Sequence, residues 1–225
     1  MGQAMQPIRS QETVNRITRE LSRDKSPRGN RRYLLWVVGI NMGMRISDMV
    51  DLKVGDLRDQ TGYTYIPHKQ ERKKGVRSIT IPVPEAVRRV VKSRCAGMAD
   101  GDWLFPSRKK KAGAVKAAAI DPEKRDEKPR KRERAVNPGA IGRQTARMEM
   151  QEIGKICGLN MRIGCHTMRK TFGYHYYQAT HNIAVLQEWF YHENPATTLI
   201  YIGVQFDNFA DMIANSPFSL DGAED

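Results

Sequence analysis

Residues 31–43 read RRYLLWVVGINMG, a stretch apolar almost throughout. A helix apolar on every side has no face to give to water and has to be buried. The segment therefore predicts an interior helix ending near Gly43, where glycine supplies the usual stop. Such a helix needs a sizeable core around it, and the 40% apolar content of this 225-residue chain is enough to build one.

The segments around it alternate between helix and turn signals. In SQETVNRITREL, Ser10 is placed to cap a helix whose stripe is Val14, Ile17 and Leu21. SPRGN breaks that helix before the apolar run begins. RISDMVDL adds one or two helical turns, and VGDLRDQTGYTYIP and VRSITIPVP read as strands joined around the basic turn HKQERKKG. Helix resumes in PEAVRRVVKSRCAG. NPGAIGRQTARMEMQEIGKICG predicts another helix, capped by Asn137 with Pro138 at its first position. CHTMRKTFGYHYYQ, a segment near 182–190, a segment starting at Asn194 and the short amphipathic FDNFADMIA complete the helical set. The fold class that follows is mostly α with a small antiparallel β-sheet (α+β). The expected layout is a flexible N-terminus over 1–9, one domain over 10–215 and an acidic tail over 216–225.

Charge narrows the function. Lys and Arg number 38 against 25 Asp and Glu, a formal net charge of +13. An excess of that size draws polyanions by steering and by counterion release, so nucleic acid is the first suspect. An anionic membrane surface is the second, but the chain has no apolar run of about 18 residues and no signal peptide. The three cysteines form no CxxC pair, which fits reduced thiols in cytoplasm. Cys165 beside His166 lacks the second pair that a zinc site would need. Residues 107–137 hold twelve Lys or Arg against five Asp or Glu and almost no large apolar side chains. They read as a basic loop or insertion, either a solvated linker or a clamp on a nucleic-acid backbone.

Phosphodiester cleavage by a protein nucleophile needs an activatable hydroxyl, cations on the non-bridging oxygens, an acid for the leaving oxygen and an acceptor for the nucleophile's proton. Arginine suits the clamp because its planar fork binds phosphate bidentately and keeps its charge. Candidates for every role occur in this chain. His166 and Arg169, three apart, share a helical face and can reach one phosphate. Read alone, Arg45 could equally pair with Asp48 or Asp51 on the next turn.

Four segments resemble, in order, the motifs of the tyrosine recombinases, also called the phage integrase family. GMRISDMVDLKVGDL resembles the first arginine box, HTMRKTFGYHYY the His-x-x-Arg box, and YHENPATTLIYIG the closing segment in which a histidine precedes the nucleophile by nine residues, here His192 and Tyr201. The fourth is the β-hairpin lysine, which would be Lys69, 24 residues past Arg45, with Lys73 and Lys74 as alternatives on the same turn. The resemblance covers residues 10–210.

It implies that Arg45 and Arg169 clamp the scissile phosphate and that Lys69 is the general acid for the departing 5′ hydroxyl. His166 would be the proton acceptor, His192 would hydrogen-bond the phosphate, and Tyr201 would attack to leave a 3′-phosphotyrosine. Asp48 would buttress the site. No cofactor and no metal are implied. The partner would be double-stranded DNA, bound by a homo-tetramer that recombines two sites through a Holliday junction, with VQFDNFADMIA docking on a neighbouring subunit or on its own domain. Tyr174, Tyr176 and Tyr177 would pack or touch DNA, and His68, His175 and His181 would have no catalytic part. Two departures stand out. The family usually has Leu-Gly before its third-box histidine, where this chain has Phe190 and Tyr191. The family also carries a helical core-binding domain ahead of the catalytic one, for which about 40 residues leave little room. The alternatives are a type IB topoisomerase-like enzyme and a catalytically inactive DNA-binding protein of the same fold.

Overall fold

The computed structural model of the chain describes residues 5–68, 78–107 and 139–204. The apolar run is the interior helix that its composition demands. Helix α1 (Gln11–Arg23) starts at Ser10, whose hydroxyl accepts from the Thr13 amide, and buries Val14, Ile17 and Leu21. Helix α2 (Pro27–Met42) follows at once. The two helices do break at SPRGN, and α2 already starts inside it: Ser26 is an N-cap accepting from the Gly29 amide, and Pro27 opens the helix. Leu35, Trp36 and Val38 are wholly buried, and the Trp36 indole donates to Thr18 on α1.

Helix α2 stops where glycine permits. Gly43 sits at φ 56, and its amide bonds back to the Gly39 carbonyl. The one-turn helix α3 (Ile46–Met49) and a 3₁₀ turn (Val54–Asp56) lead to strand β1 (Gly62–Tyr65). Strand β2 (Ile79–Pro82) pairs antiparallel with β1, Tyr63 opposite Ile81. Helix α4 (Glu85–Arg94) packs back on α2.

Helix α5 (Arg143–Ile156) begins later than Asn137 and Pro138 would have it, with Gly142 at its N-cap. The reason is that residues 139–141 are used otherwise. Gly139 takes φ 104, Ala140 forms a bridge with Pro106, and the Ile141 amide donates to the Phe105 carbonyl. A backbone engaged in that pairing cannot also be helical.

Helix α6 (Cys165–Thr180) lies on α2 at close range: a side chain at Gly39 would collide with Met168. Helices α7 (Ile183–Phe190) and α8 (Pro195–Ile202) stand on α6 around a second small core of Leu186, Phe190, Ile202 and Val204. Tyr174, Tyr176 and Tyr177 pack against that core. Residues 5–9, expected to belong to a flexible end, run along α6: the buried Ile8 donates its amide to Thr171 and accepts at its carbonyl from His175. Helix α8 is capped by Asn194, which accepts from the Thr197 amide, with Pro195 at its first position, as its sequence predicts. All three cysteines are free thiols. Among the described residues no helix is long and apolar enough to cross a membrane.

Candidate active site

The chain stops that end α2, α7 and α8 bring distant residues to one place. Past the Gly43 turn, Arg45 takes the extended conformation of the α3 N-cap, and its Nη2 donates to the Phe190 carbonyl at 2.7 Å. That bond replaces the pairing with Asp48 or Asp51 that local spacing allows. Arg169, 3% exposed, projects from α6 and donates to the carbonyls of Gly43 and Trp189. Its guanidinium lies 4.1 Å from the centroid of the Phe190 ring. The two arginines are thus held by carbonyls left unpaired at the ends of α2 and α7. Those bonds use one of Arg45's five N–H donors and two of Arg169's.

Burial and the neighbouring charge of Arg45 push Arg169 down to about 10. Two guanidiniums that feel each other's charge favour an anion that both can reach.

Tyr201, in the last turn of α8, faces this pair. Its hydroxyl lies 3.3 Å from His166 Nδ1, near the start of α6. Burial raises the Tyr201 phenol above its ordinary value, opposed by the charges of Arg169 and Arg45. For His166 the shift is downward: desolvation comes first, then the charges of Lys170, Arg169 and Arg45. An imidazole kept neutral beside a protonated phenol can accept its proton when Nδ1 is the bare nitrogen.

His192 follows Tyr191, which caps α7 at φ 53 in the left-handed region. This is where the family pattern has glycine, and here tyrosine bears the strain. The turn still delivers His192, whose Nδ1 lies 3.0 Å from the buried Thr198 hydroxyl and whose ring meets Tyr201 edge-on with centroids 5.2 Å apart.

Asp48 is buried. One carboxylate oxygen accepts from the His68 amide, and the other has no hydrogen-bond partner among the described residues. Asp51 pairs with the His68 ring, so two carboxylates on and just after α3 tie down the end of the β1 segment. Lys69, Lys73 and Lys74 lie outside the described residues, as do residues 108–138 of the basic segment and 205–225.

The structure therefore brings together Arg45, His166, Arg169, His192 and Tyr201. Sequence reading missed the groups that hold them: Gly43, Trp189, Phe190 and Thr198, and also Lys170, whose ammonium lies 5.0 Å from the Tyr201 ring centroid. Thr198 was discoverable, three residues before Tyr201 on one helical face. The backbone carbonyls carry no signal in side-chain identity. Among the described residues no group of three or more His, Cys, Asp or Glu is arranged to hold a metal ion.

Residues 9–208 match the family described as Phage integrase family. The "Probable integrase/recombinase YoeC" of Bacillus subtilis (strain 168) is 31% identical over 203 residues, covering 90% of this chain and 92% of that protein. A "Tyrosine recombinase" of Pseudothermotoga lettingae is 26% identical over 179 residues, 80% of this chain but 51% of its own length. In fold the chain is similar to the XerA recombinase (TM-score 0.63, 17% identity, 97% of this chain and 67% of that one). It is also similar to the catalytic domain of bacteriophage HP1 integrase (TM-score 0.52, 14% identity, 96% and 98%).

Proposed function

Because the chain belongs to the phage integrase family and is a tyrosine recombinase, we propose a specific division of labour for its strand cleavage, with double-stranded DNA as substrate. Arg45 and Arg169 bind the non-bridging oxygens of the scissile phosphate with the N–H donors that their carbonyl partners do not use. The Tyr201 oxygen attacks phosphorus while its proton passes to His166 Nδ1. The bond from phosphorus to the 5′ oxygen breaks, and Lys69 gives that oxygen its proton. His192, set by Thr198, donates to the phosphate. The product is a 3′-phosphotyrosine and a free 5′ hydroxyl, and the reverse steps on a partner strand religate the DNA.

The observation that carries this reading is the 3.3 Å approach of His166 to the Tyr201 hydroxyl beside a pair of buried-edge arginines. The charges of both arginines act on His166 and on Tyr201 there. Positioning together with electrostatic stabilisation supplies most of the barrier reduction in phosphoryl transfer. None of these steps calls on a metal ion. The working assembly we propose is a homo-tetramer on two DNA sites in the cytoplasm, exchanging strands through a Holliday junction.

Covalent trapping tests it. Wild type and Tyr201→Phe are incubated with nicked duplexes taken from the DNA flanking the gene and then denatured in detergent. A protein–DNA adduct from wild type alone is expected. An adduct that persists in Tyr201→Phe would overturn the assignment of the nucleophile, and binding without any adduct from wild type would overturn the cleavage reading.

A further inference from the structure

Lys170 stands next to Arg169 on α6 and four residues, about one helical turn, beyond His166. The i, i+4 relation puts Lys170 and His166 on the same side of the helix. Tyr201 is held between them: its hydroxyl is at His166, and the Lys170 ammonium lies 5.0 Å from its ring centroid. Lys170 is half-buried, and desolvation lowers its ammonium from the ordinary lysine value. A partly desolvated cation at an aromatic ring is attracted to it more strongly than a fully exposed one.

We propose that Lys170 is a positioning residue for strand cleavage, one that clamps the Tyr201 ring against α6 and sets its positive charge on the same helix face as His166. The inference rests on the reading of Tyr201 as nucleophile and His166 as acceptor.

The charges around His166 explain why a third cation matters. Tyr201 faces it from α8, Lys170 and Arg169 from α6, and Arg45 from the start of α3. Without DNA, all three cations disfavour a proton on the imidazole. When a phosphodiester binds to Arg45 and Arg169, its negative charge offsets theirs and draws a proton toward His166. Lys170 is engaged with the tyrosine ring rather than with the arginine pair, so its field persists at the moment the acceptor has to be bare. The same contact orients the ring, so one residue serves both geometry and protonation.

Two measurements test this, using Lys170→Met, which keeps the apolar stem, and Lys170→Arg, which keeps the charge. The first is an NMR titration of the His166 imidazole in the DNA-free protein. Loss of the charge should raise its midpoint by roughly 0.5–1.5 units in Lys170→Met, and Lys170→Arg should stay near wild type. An unchanged midpoint in Lys170→Met would overturn the proposal, since a stem that merely packs is retained in methionine. The second is the rate of adduct formation on a nicked duplex at saturating protein. Lys170→Met should be slowed about tenfold at neutral pH, recover in part at higher pH, and be rescued by arginine. Weaker DNA binding with an unchanged rate at saturation would make Lys170 a phosphate contact and also overturn the proposal. If wild type forms no adduct, the cleavage reading fails while the titration still decides the charge relation.

Discussion

Arg169 lies with its guanidinium 4.1 Å from the centroid of the Phe190 ring, and the carbonyl of that same Phe190 accepts from Arg45. One residue at the end of α7 thus supports both arginines, by its side chain and by its backbone. Phe190 is wholly buried, so Phe190→Ala should cost about 3–5 kcal/mol of stability. Phe190→Leu keeps the carbonyl and most of the volume and should cost about 1 kcal/mol. It removes the ring under Arg169, so cleavage should still slow roughly tenfold, a loss on the scale of one cation–π contact. Denaturant unfolding and adduct rates, measured on both variants, separate the two effects.

A second charged centre lies apart from Tyr201. Glu149 on α5 is buried and accepts from Arg28, Arg31 and Arg32 at the start of α2, with Arg31 also donating to the Pro106 carbonyl. Burial alone would raise the Glu149 carboxyl. The hydrogen bonds from Arg31 and Arg32, with their charges, outweigh it and hold the group below its ordinary 4.5. A carboxylate depressed on folding stabilises the protein above its unfolded-state value and loses that contribution as pH falls through the folded one. Stability should therefore decline in acid below about pH 4.5 and less steeply in Glu149→Gln. At neutral pH Glu149→Gln strands two buried guanidiniums and should cost about 3–5 kcal/mol.

Tyr191 carries the strain of a left-handed cap at φ 53. Glycine would remove about 1–2 kcal/mol of that strain and lose less than 1 kcal/mol to the freer unfolded chain. Tyr191→Gly is expected to raise stability by about 1 kcal/mol, read as a higher denaturation midpoint. A lower midpoint would mean that the tyrosine ring contributes more by packing than its backbone costs.

The pH profile of cleavage follows from two opposite shifts. Tyr201 is raised above 10 and His166 is lowered below 6.5. At pH 7 the phenol keeps its proton and the imidazole is free to accept it. At DNA well below saturation, where the free enzyme sets the profile, adduct formation should hold down to about pH 6.5 and fall below it as His166 protonates. His166→Gln should be slow and lack that acidic limb, which single-turnover rates across pH will show.

Much of the fold was legible because helix caps and stripes act over short spans. Ser10, the Val14–Ile17–Leu21 stripe, Gly43 and the Asn194–Pro195 start each operate within a turn or two. The late start of α5 was not legible, because it depends on Ala140 pairing with Pro106 across the basic segment. The start of α2 within SPRGN was not legible for a related reason: Ser-Pro opens a helix as readily as it ends one, and the packing of α2 on α1 decides which.

Spacing along the chain was enough to put the candidate chemistry in view: four motifs, the His166–Arg169 pair and the step from His192 to Tyr201. Periodicity places such residues on helix faces without knowledge of the rest of the chain. What holds these side chains comes from packing between distant segments. Arg45 meets the Phe190 carbonyl across 145 residues and Arg169 meets the Gly43 carbonyl across 126. Backbone carbonyls are the same at every position, so only the packing of α2, α6 and α7 selects which of them receive the arginines.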